Sequence, residues 1–236
     1  MSAPRRWREV GLDEVADGFE IRLDGRPLRL GDDLGLLIAK RPLAEAIRDE
    51  WQLAGQEEGS GVRPEAIELT RLAATQQHRI APARAAMIEE LLPWGRDDLL
   101  RYRDPDIAVA EEQAERWDSV LDGLARRHGL RPGIAIGLAP LVPQAGEDAR
   151  WRAILSPLPD AALTALGTLV PALGSLVLAL ALVEDQIGPE QAVALSRLEE
   201  SRQAARWGSD PVIEAKEASV LHEVRQAYRF LVLSRD

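Results

Sequence analysis

Carboxylates are the residues most densely grouped for chemistry in this 236-residue chain. Asp97, Asp98, Asp104 and Asp106 stand close together, and two facing carboxylates can share acid–base work or hold a divalent cation. No glycine occupies the turn position of a calcium loop, and Asp97-Asp98 falls where a helix begins. The plainer use of these acids is therefore to stabilise a helix N-terminus. The rival reading is a small acid–base enzyme built on Asp97, Asp98 and a spatially adjacent histidine. His78, His128 and His222 are far apart in sequence, and none has a His or Cys at metal-ligand spacing; His128 reads as a helix-end side chain. Ser175 sits in Leu-Gly-Ser-Leu and not in the Gly-x-Ser-x-Gly elbow of a nucleophile. Neither common phosphate-binding glycine loop is present. Cysteine is absent, which removes disulfides, thiolate metal sites and a thiol nucleophile. The sequence thus calls for no catalytic residue, no metal and no cofactor, and the expectation is a protein that is not an enzyme.

A second constellation has a different character. Leu195-Ser196-Arg197-Leu198-Glu199-Glu200, then Gln203, then Trp207-Gly208, place an arginine, two acids, an amide and an indole within about three helical turns. Residues 196, 199, 200, 203 and 207 follow steps of three or four, so one helix would carry them as a single stripe. Such a stripe is either a solvated face or a recognition surface, since Trp and Arg are favoured where partners meet. The candidate partner-binding residues are Arg197, Glu199, Glu200, Gln203 and Trp207.

The elements that must position these residues change character along the chain. Phe19, Ile21 and Leu23 alternate with polar residues, Asp24-Gly25 follows, and Leu28 and Leu30 resume the alternation. That is the pattern of a two-residue hairpin, with Ile21 facing Leu28, Phe19 facing Leu30, and Pro27 on an edge. Leu36-Leu37-Ile38 adds a possible strand after the Gly31-Asp32-Asp33 turn. From Pro42 the period becomes helical. Leu43, Ile47 and Trp51 share one face, which makes Trp51 a structural residue. The run Ile107, Ala110, Ala114, Trp117, Leu121, Leu124 and His128 is the cleanest amphipathic helix, with Trp117 on its apolar seam. Pro189 and Pro211 suit first helical turns, with Asp210 as a cap. The reading is α+β: a β-rich N-terminal domain over residues 1–40 and an α-helical domain over residues 41–236.

Composition limits the partners. Net charge is −10 and the basic residues are nearly all Arg, which opposes the counterion displacement a nucleic-acid binder needs. Glu9, Asp13 and Glu14 argue against an acid-poor transit peptide, and no apolar run follows Arg5-Arg6, so the expected compartment is a bacterial cytoplasm. Ala161–Val183 carries no charge for 23 residues, long enough to span a bilayer. Its glycines, threonines, alanines and Pro171 lower its hydrophobicity, and no Lys or Arg cluster marks an inside end. A helix buried in a bundle is the preferred reading, and a membrane tether the alternative.

Taken in order, several segments resemble the assembly chaperones of the F-type ATP synthase catalytic sector, those that hold the α subunit before it joins β. They are Leu23-Asp24-Gly25-Arg26-Pro27, Glu50-Trp51 with Gln56, Leu69-Thr70-Arg71-Leu72-Ala73, and Asp98-Leu99-Leu100-Arg101-Tyr102-Arg103. Gln113 with Trp117-Asp118, Gly174-Ser175 followed by Leu176–Leu182, and the Ser196–Gly208 motif complete the series. The resemblance runs from about Arg6 to Leu233. It implies a β-rich domain joined to an orthogonal helical bundle, an ATP-independent holdase whose partner is the α subunit, and a function tied to the acidic end of the Leu-Glu-Glu motif. Two departures stand out. Pro171 interrupts the apolar helix, where a kink comes into question, and Ala74-Thr75-Gln76 replaces the more usual small-residue and Asn pattern.

Overall fold

Asp24 and Gly25 both adopt positive φ, 48° and 76°, the conformation a two-residue type I′ turn demands and Gly supplies at little steric cost. The structure, a computed structural model, describes residues 6–31, 34–56, 62–137, 139–141, 144–208 and 211–235; of Trp207 it describes the backbone. The turn joins β2 (Gly18–Leu23) to β3 (Arg26–Pro27), with Arg22 opposite Pro27. Pro27 occupies the edge strand of a sheet ordered β1-β2-β3, where its missing N–H interrupts no ladder. The first strand, β1 (Val10–Val15), pairs antiparallel with β2 along its whole length. Sequence alternation had not marked it.

Ile21 faces Leu28 as expected, its carbonyl accepting the Leu28 N–H at 2.8 Å. Phe19 departs from expectation. It exchanges both backbone hydrogen bonds with Ile38, at 2.8 and 3.0 Å, because the chain after Leu28 folds into its own short hairpin of β4 (Arg29–Leu30) and β5 (Leu34–Gly35). Leu30 is spent on Leu34 there. Of the proposed Leu36–Ile38 strand, Ile38 alone bridges. Asp32 and Asp33 of the proposed turn lie outside the described residues.

The chain forms two compact units, one of residues 1–83 with 229–236 and one of residues 84–228. The change of period near Pro42, read as a boundary between residues 40 and 41, falls inside the first unit. Its physical reason is packing: helix α1 (Arg41–Leu53) lies against β1 and β2, and buries Leu43, Ala44, Ile47 and Trp51. Helix α2 (Glu68–Thr75) is capped from a distance. Glu50 accepts the N–H groups of Leu69 and Thr70 at 2.6 and 2.9 Å and the Thr70 hydroxyl at 2.8 Å. The Thr70 oxygen in turn accepts the Trp51 indole N–H at 3.0 Å. Burial pushes the Glu50 carboxyl up, against the pull of those donors. After α2 a π-helical turn at Gln76–Ile80 brings the His78 Nε2 to 2.9 Å from the Gly35 carbonyl.

In the second unit, α3 (Arg84–Arg96) runs through Pro93 and leads to a short 3₁₀ turn at Leu99–Arg101. Strand β6 (Tyr102–Arg103) pairs in parallel with β7 (Ala135–Ile136). Between them lies α4 (Ile107–His128), whose cap is Asp106, accepting from the N–H groups of Ala108 and Val109. Its buried face holds Gln113, Trp117, Val120, Leu121 and Leu124. Helix α5 (Glu147–Leu155) precedes α6 (Asp160–Leu173) and α7 (Leu176–Val183), and every residue of α7 is buried. The uncharged stretch is thus two helices of 14 and 8 residues. Pro171 sits in the last turn of α6, and the break comes at Gly174, in the left-handed region with φ 66°, followed by Ser175 as N-cap of α7. Among the described residues no helix is long and apolar enough to cross a membrane. Helices α8 (Pro189–Ser196), α9 (Leu198–Trp207) and α10 (Pro211–Leu233) follow. Residues 229–233 of α10 belong to the first unit. Asp210, read as the α10 cap, lies outside the described residues.

Candidate functional site

The acidic cluster resolves into caps and ties. Asp98 is fully buried. One carboxylate oxygen accepts from Leu100 N at 3.0 Å and Ser175 Oγ at 2.8 Å, the other from Val177 N at 3.0 Å. It therefore closes the N-termini of both the 3₁₀ turn and α7, and pins the α6–α7 junction. Burial raises its carboxyl to about 6, against those hydrogen bonds. Asp97 accepts from the Tyr102 hydroxyl, Asp104 from the Asp106 N–H at 2.7 Å, and Asp106 caps α4. Asp98 and Asp106 serve helix N-termini as expected, though the helix Asp98 serves most is α7, remote in sequence, while Asp97 and Asp104 tie other groups. His128 bonds Glu184 at 2.7 Å. Among the described residues no group of three His, Cys, Asp or Glu stands ready to hold a metal ion.

Around this lies a set of buried polar residues that periodicity could not show. Arg101 is 1 % exposed and donates to Glu147 at 2.6 Å and to the carbonyls of Gly95, Arg96 and Gly133. Arg103 pairs with Asp118 at 2.6 Å and lies 5.2 Å from the centre of the Trp117 ring, within cation–π range. The Trp117 indole N–H donates to the Leu195 carbonyl at 2.9 Å and ties α8 to α4. Gln113 is 1 % exposed. The pairs 101–147, 103–118 and 113–199 join residues 46, 15 and 86 positions apart, so no local spacing signals them.

The candidate stripe is not one helix. Helix α8 ends at Ser196, Arg197 has φ −110° and ψ 21°, and α9 begins at Leu198. Ser196 is buried and returns its hydroxyl to the Val193 carbonyl at 2.9 Å, which takes it off the surface the spacing had assigned to it. Glu199, Glu200 and Gln203 remain in line on α9 and are exposed. Arg197 pairs with Glu200 at 2.9 Å. Glu199 accepts from Gln113 Nε2 at 2.8 Å. Trp207 closes α9, and its side chain lies outside the described residues.

These residues meet at a cleft of about 420 Å³ lined by Ser196, Arg197, Glu199, Glu200 and Gln203 together with Leu99, Trp117 and residues 171–174, of which Pro171 is exposed and Trp117 and Leu173 are almost wholly buried. A smaller hollow of about 220 Å³ shares Glu199 and Gln203 and adds Asp104, Val109, Arg202 and Arg206. The Asp98 carboxylate thus fixes the turn that floors the larger cleft. Four of the five stripe residues line a single concavity whose remaining lining is largely apolar. That arrangement can grip a mixed polar and apolar surface.

A family model described as the ATP12 chaperone protein matches residues 4–125. The chain belongs to the ATP12 chaperone family. Over almost its entire length it is also similar to solved ATP12 structures. It is 36% identical to Atp12 from Paracoccus denitrificans, with 99% of each chain covered and a TM-score of 0.89. A single-substitution variant of the same P. denitrificans protein gives the same identity and TM-score. The Atu1473 protein of Agrobacterium tumefaciens is 32% identical, with 97% of this chain and 85% of that one covered and a TM-score of 0.88. The ATP12 family is one of ATP synthase assembly chaperones, the group the ordered motifs resemble, and the α+β architecture with a small N-terminal sheet is that of its solved members.

Proposed function

We propose that this protein is an ATP-independent, non-enzymatic holdase for the unassembled α subunit of the F-type ATP synthase, acting in a bacterial cytoplasm and holding its client along α9. A subunit awaiting an obligate interface exposes apolar surface that aggregates if left bare. A chaperone that must later let go needs moderate affinity, which charged contacts around an apolar patch supply. The observation that carries this reading is the cleft whose lining joins Arg197, Glu199, Glu200 and Gln203 to the accessible apolar residues Leu99, Pro171 and Ala172. In this reading one of the two glutamates meets a client cation, and Trp207, at the end of α9, is a further candidate contact. Trp51 and Trp117 are structural.

The test is aggregation of the isolated α subunit, followed by light scattering without nucleotide. Near-equimolar protein is expected to suppress it while leaving isolated β unprotected. Equal protection of both subunits, or of neither, overturns the assignment.

A further inference from the structure

Two adjacent glutamates face the cleft, and the structure treats them differently. The Glu200 carboxylate is matched by the Arg197 guanidinium at 2.9 Å. Glu199 is held instead by a neutral group, the Gln113 amide at 2.8 Å. The way round that amide lies is settled by its other end. Gln113 Oε1 receives the Asp104 backbone N–H at 2.8 Å, and an N–H can only donate, so Nε2 must point at Glu199. A buried donor aimed outward in this way requires an acceptor, and among the described residues no cation is paired with Glu199. The nearest basic residues of the adjoining hollow are Arg202 and Arg206, and Arg202 is engaged by Glu112.

We infer that Gln113 is the positioning residue of the cleft: its buried amide fixes the Glu199 carboxylate, with no cation paired to it among the described residues, in a cleft that Leu99, Pro171 and Ala172 also line, so that the cleft takes a client segment presenting a basic side chain next to an apolar one. This rests on the holdase reading above and assigns the recognition chemistry within it. A neutral anchor suits that task, since an arginine in place of Gln113 would satisfy Glu199 internally and leave nothing for a client cation. Glu200, already paired with Arg197, shapes the wall without supplying its free charge.

Three variants, assayed for suppression of α-subunit aggregation and for melting temperature, test the inference. Glu199→Gln keeps an oxygen for the Gln113 donor and removes only the charge; protection is expected to weaken about tenfold or more with the melt unchanged. Gln113→Glu sets two carboxylates against each other. When both are ionised they repel, and when the pair holds one proton the contact re-forms. The charged groups that line the two hollows beside Glu199 are Asp104, Arg197, Glu200, Arg202 and Arg206. Protection by Gln113→Glu is expected to be lost at pH 8 and to return in part on acidification, a pH profile the parent lacks. The swap Gln113→Glu with Glu199→Gln restores the hydrogen bond but moves the charge to a position only 1% exposed, so it is expected to melt below the parent and protect no better than Glu199→Gln. A swap that protects like the parent shows that only the bond matters, and overturns the inference, as does a Gln113→Glu protein that protects normally at pH 8. If the swap does not fold, Glu199→Gln decides: normal protection overturns the inference and the tenfold loss upholds it. Failure of the parent to protect the α subunit is a separate outcome and removes the holdase reading itself.

Discussion

Asp98 sets two opposed effects against each other, and their balance is measurable. Its three hydrogen-bond partners, Leu100 N, Ser175 Oγ and Val177 N, all donate, which favours the ionised form. Full burial favours the neutral one, and burial is the larger, raising the carboxyl from 3.8 to about 6. The sign follows from proton linkage. Between these two values the folded state binds more protons than the unfolded one, so this group's contribution to stability rises on acidification and falls as pH climbs through about 6. A shift of that size is worth about 3 kcal/mol between the extremes. Over the practical window from pH 7.5 to pH 5 it amounts to about 1.4 kcal/mol in favour of the acid side. Asp98→Asn removes the titration while keeping the size. Urea unfolding of parent and variant should be followed at several pH values, and the variant's free energy subtracted from the parent's. The subtraction cancels every other carboxylate, and changes of hydrogen bonding in the amide enter equally at both ends of the window. The difference should favour the parent increasingly toward pH 5, by about 1.4 kcal/mol. A flat difference curve would mean that the three donors hold the carboxylate at its ordinary value, and an opposite slope that they pull it below.

Other changes test the scaffold. Trp51→Ala, removing an indole that is 7% exposed and bonded to Thr70, should cost about 3–5 kcal/mol and lower the thermal midpoint; an unchanged melt with lost client binding would mean that Trp51 acts at a surface. In Gly95→Ala the new Cβ would stand 2.5 Å from Trp151 Nε1. Overpacking of about 1–3 kcal/mol should outweigh the roughly 1 kcal/mol that alanine brings to a helix, and a stabilised variant would show that Trp151 moves aside freely. Because α6 and α7 are separate buried helices, the protein should stay in the supernatant of a detergent-free lysate after high-speed centrifugation, and salt-resistant recovery in the membrane pellet would contradict this.

What could be read from residues alone was what depends on near neighbours. The Asp24-Gly25 turn, the span of α4 and the helix-end place of His128 follow from local conformation and period. Strand β1 escaped because Val-Gly-Leu-Asp-Glu-Val alternates poorly, and it is made a strand by its partner β2. The break at Arg197 escaped because steps of three and four continue across it, while Trp117, from α4, takes the Leu195 carbonyl. Gln113 entered as part of a family pattern; its role depends on Glu199, 86 positions away. The stripe was found by spacing, but the apolar residues that share its cleft come from α4, the 3₁₀ turn and the end of α6. No period within α9 could report it.

The first compact unit is completed by residues 229–236, with Phe230 and Leu231 almost wholly buried. Synthesis on the ribosome is vectorial, so residues 1–83 emerge and wait while the entire second unit is made. Until residues 229–236 arrive, the early-made unit lacks its last segment, and closing that gap brings together positions far apart in the chain, the kind of contact that slows folding. A premature stop near Tyr228 would spare the residues lining the cleft and strike the segment translated first.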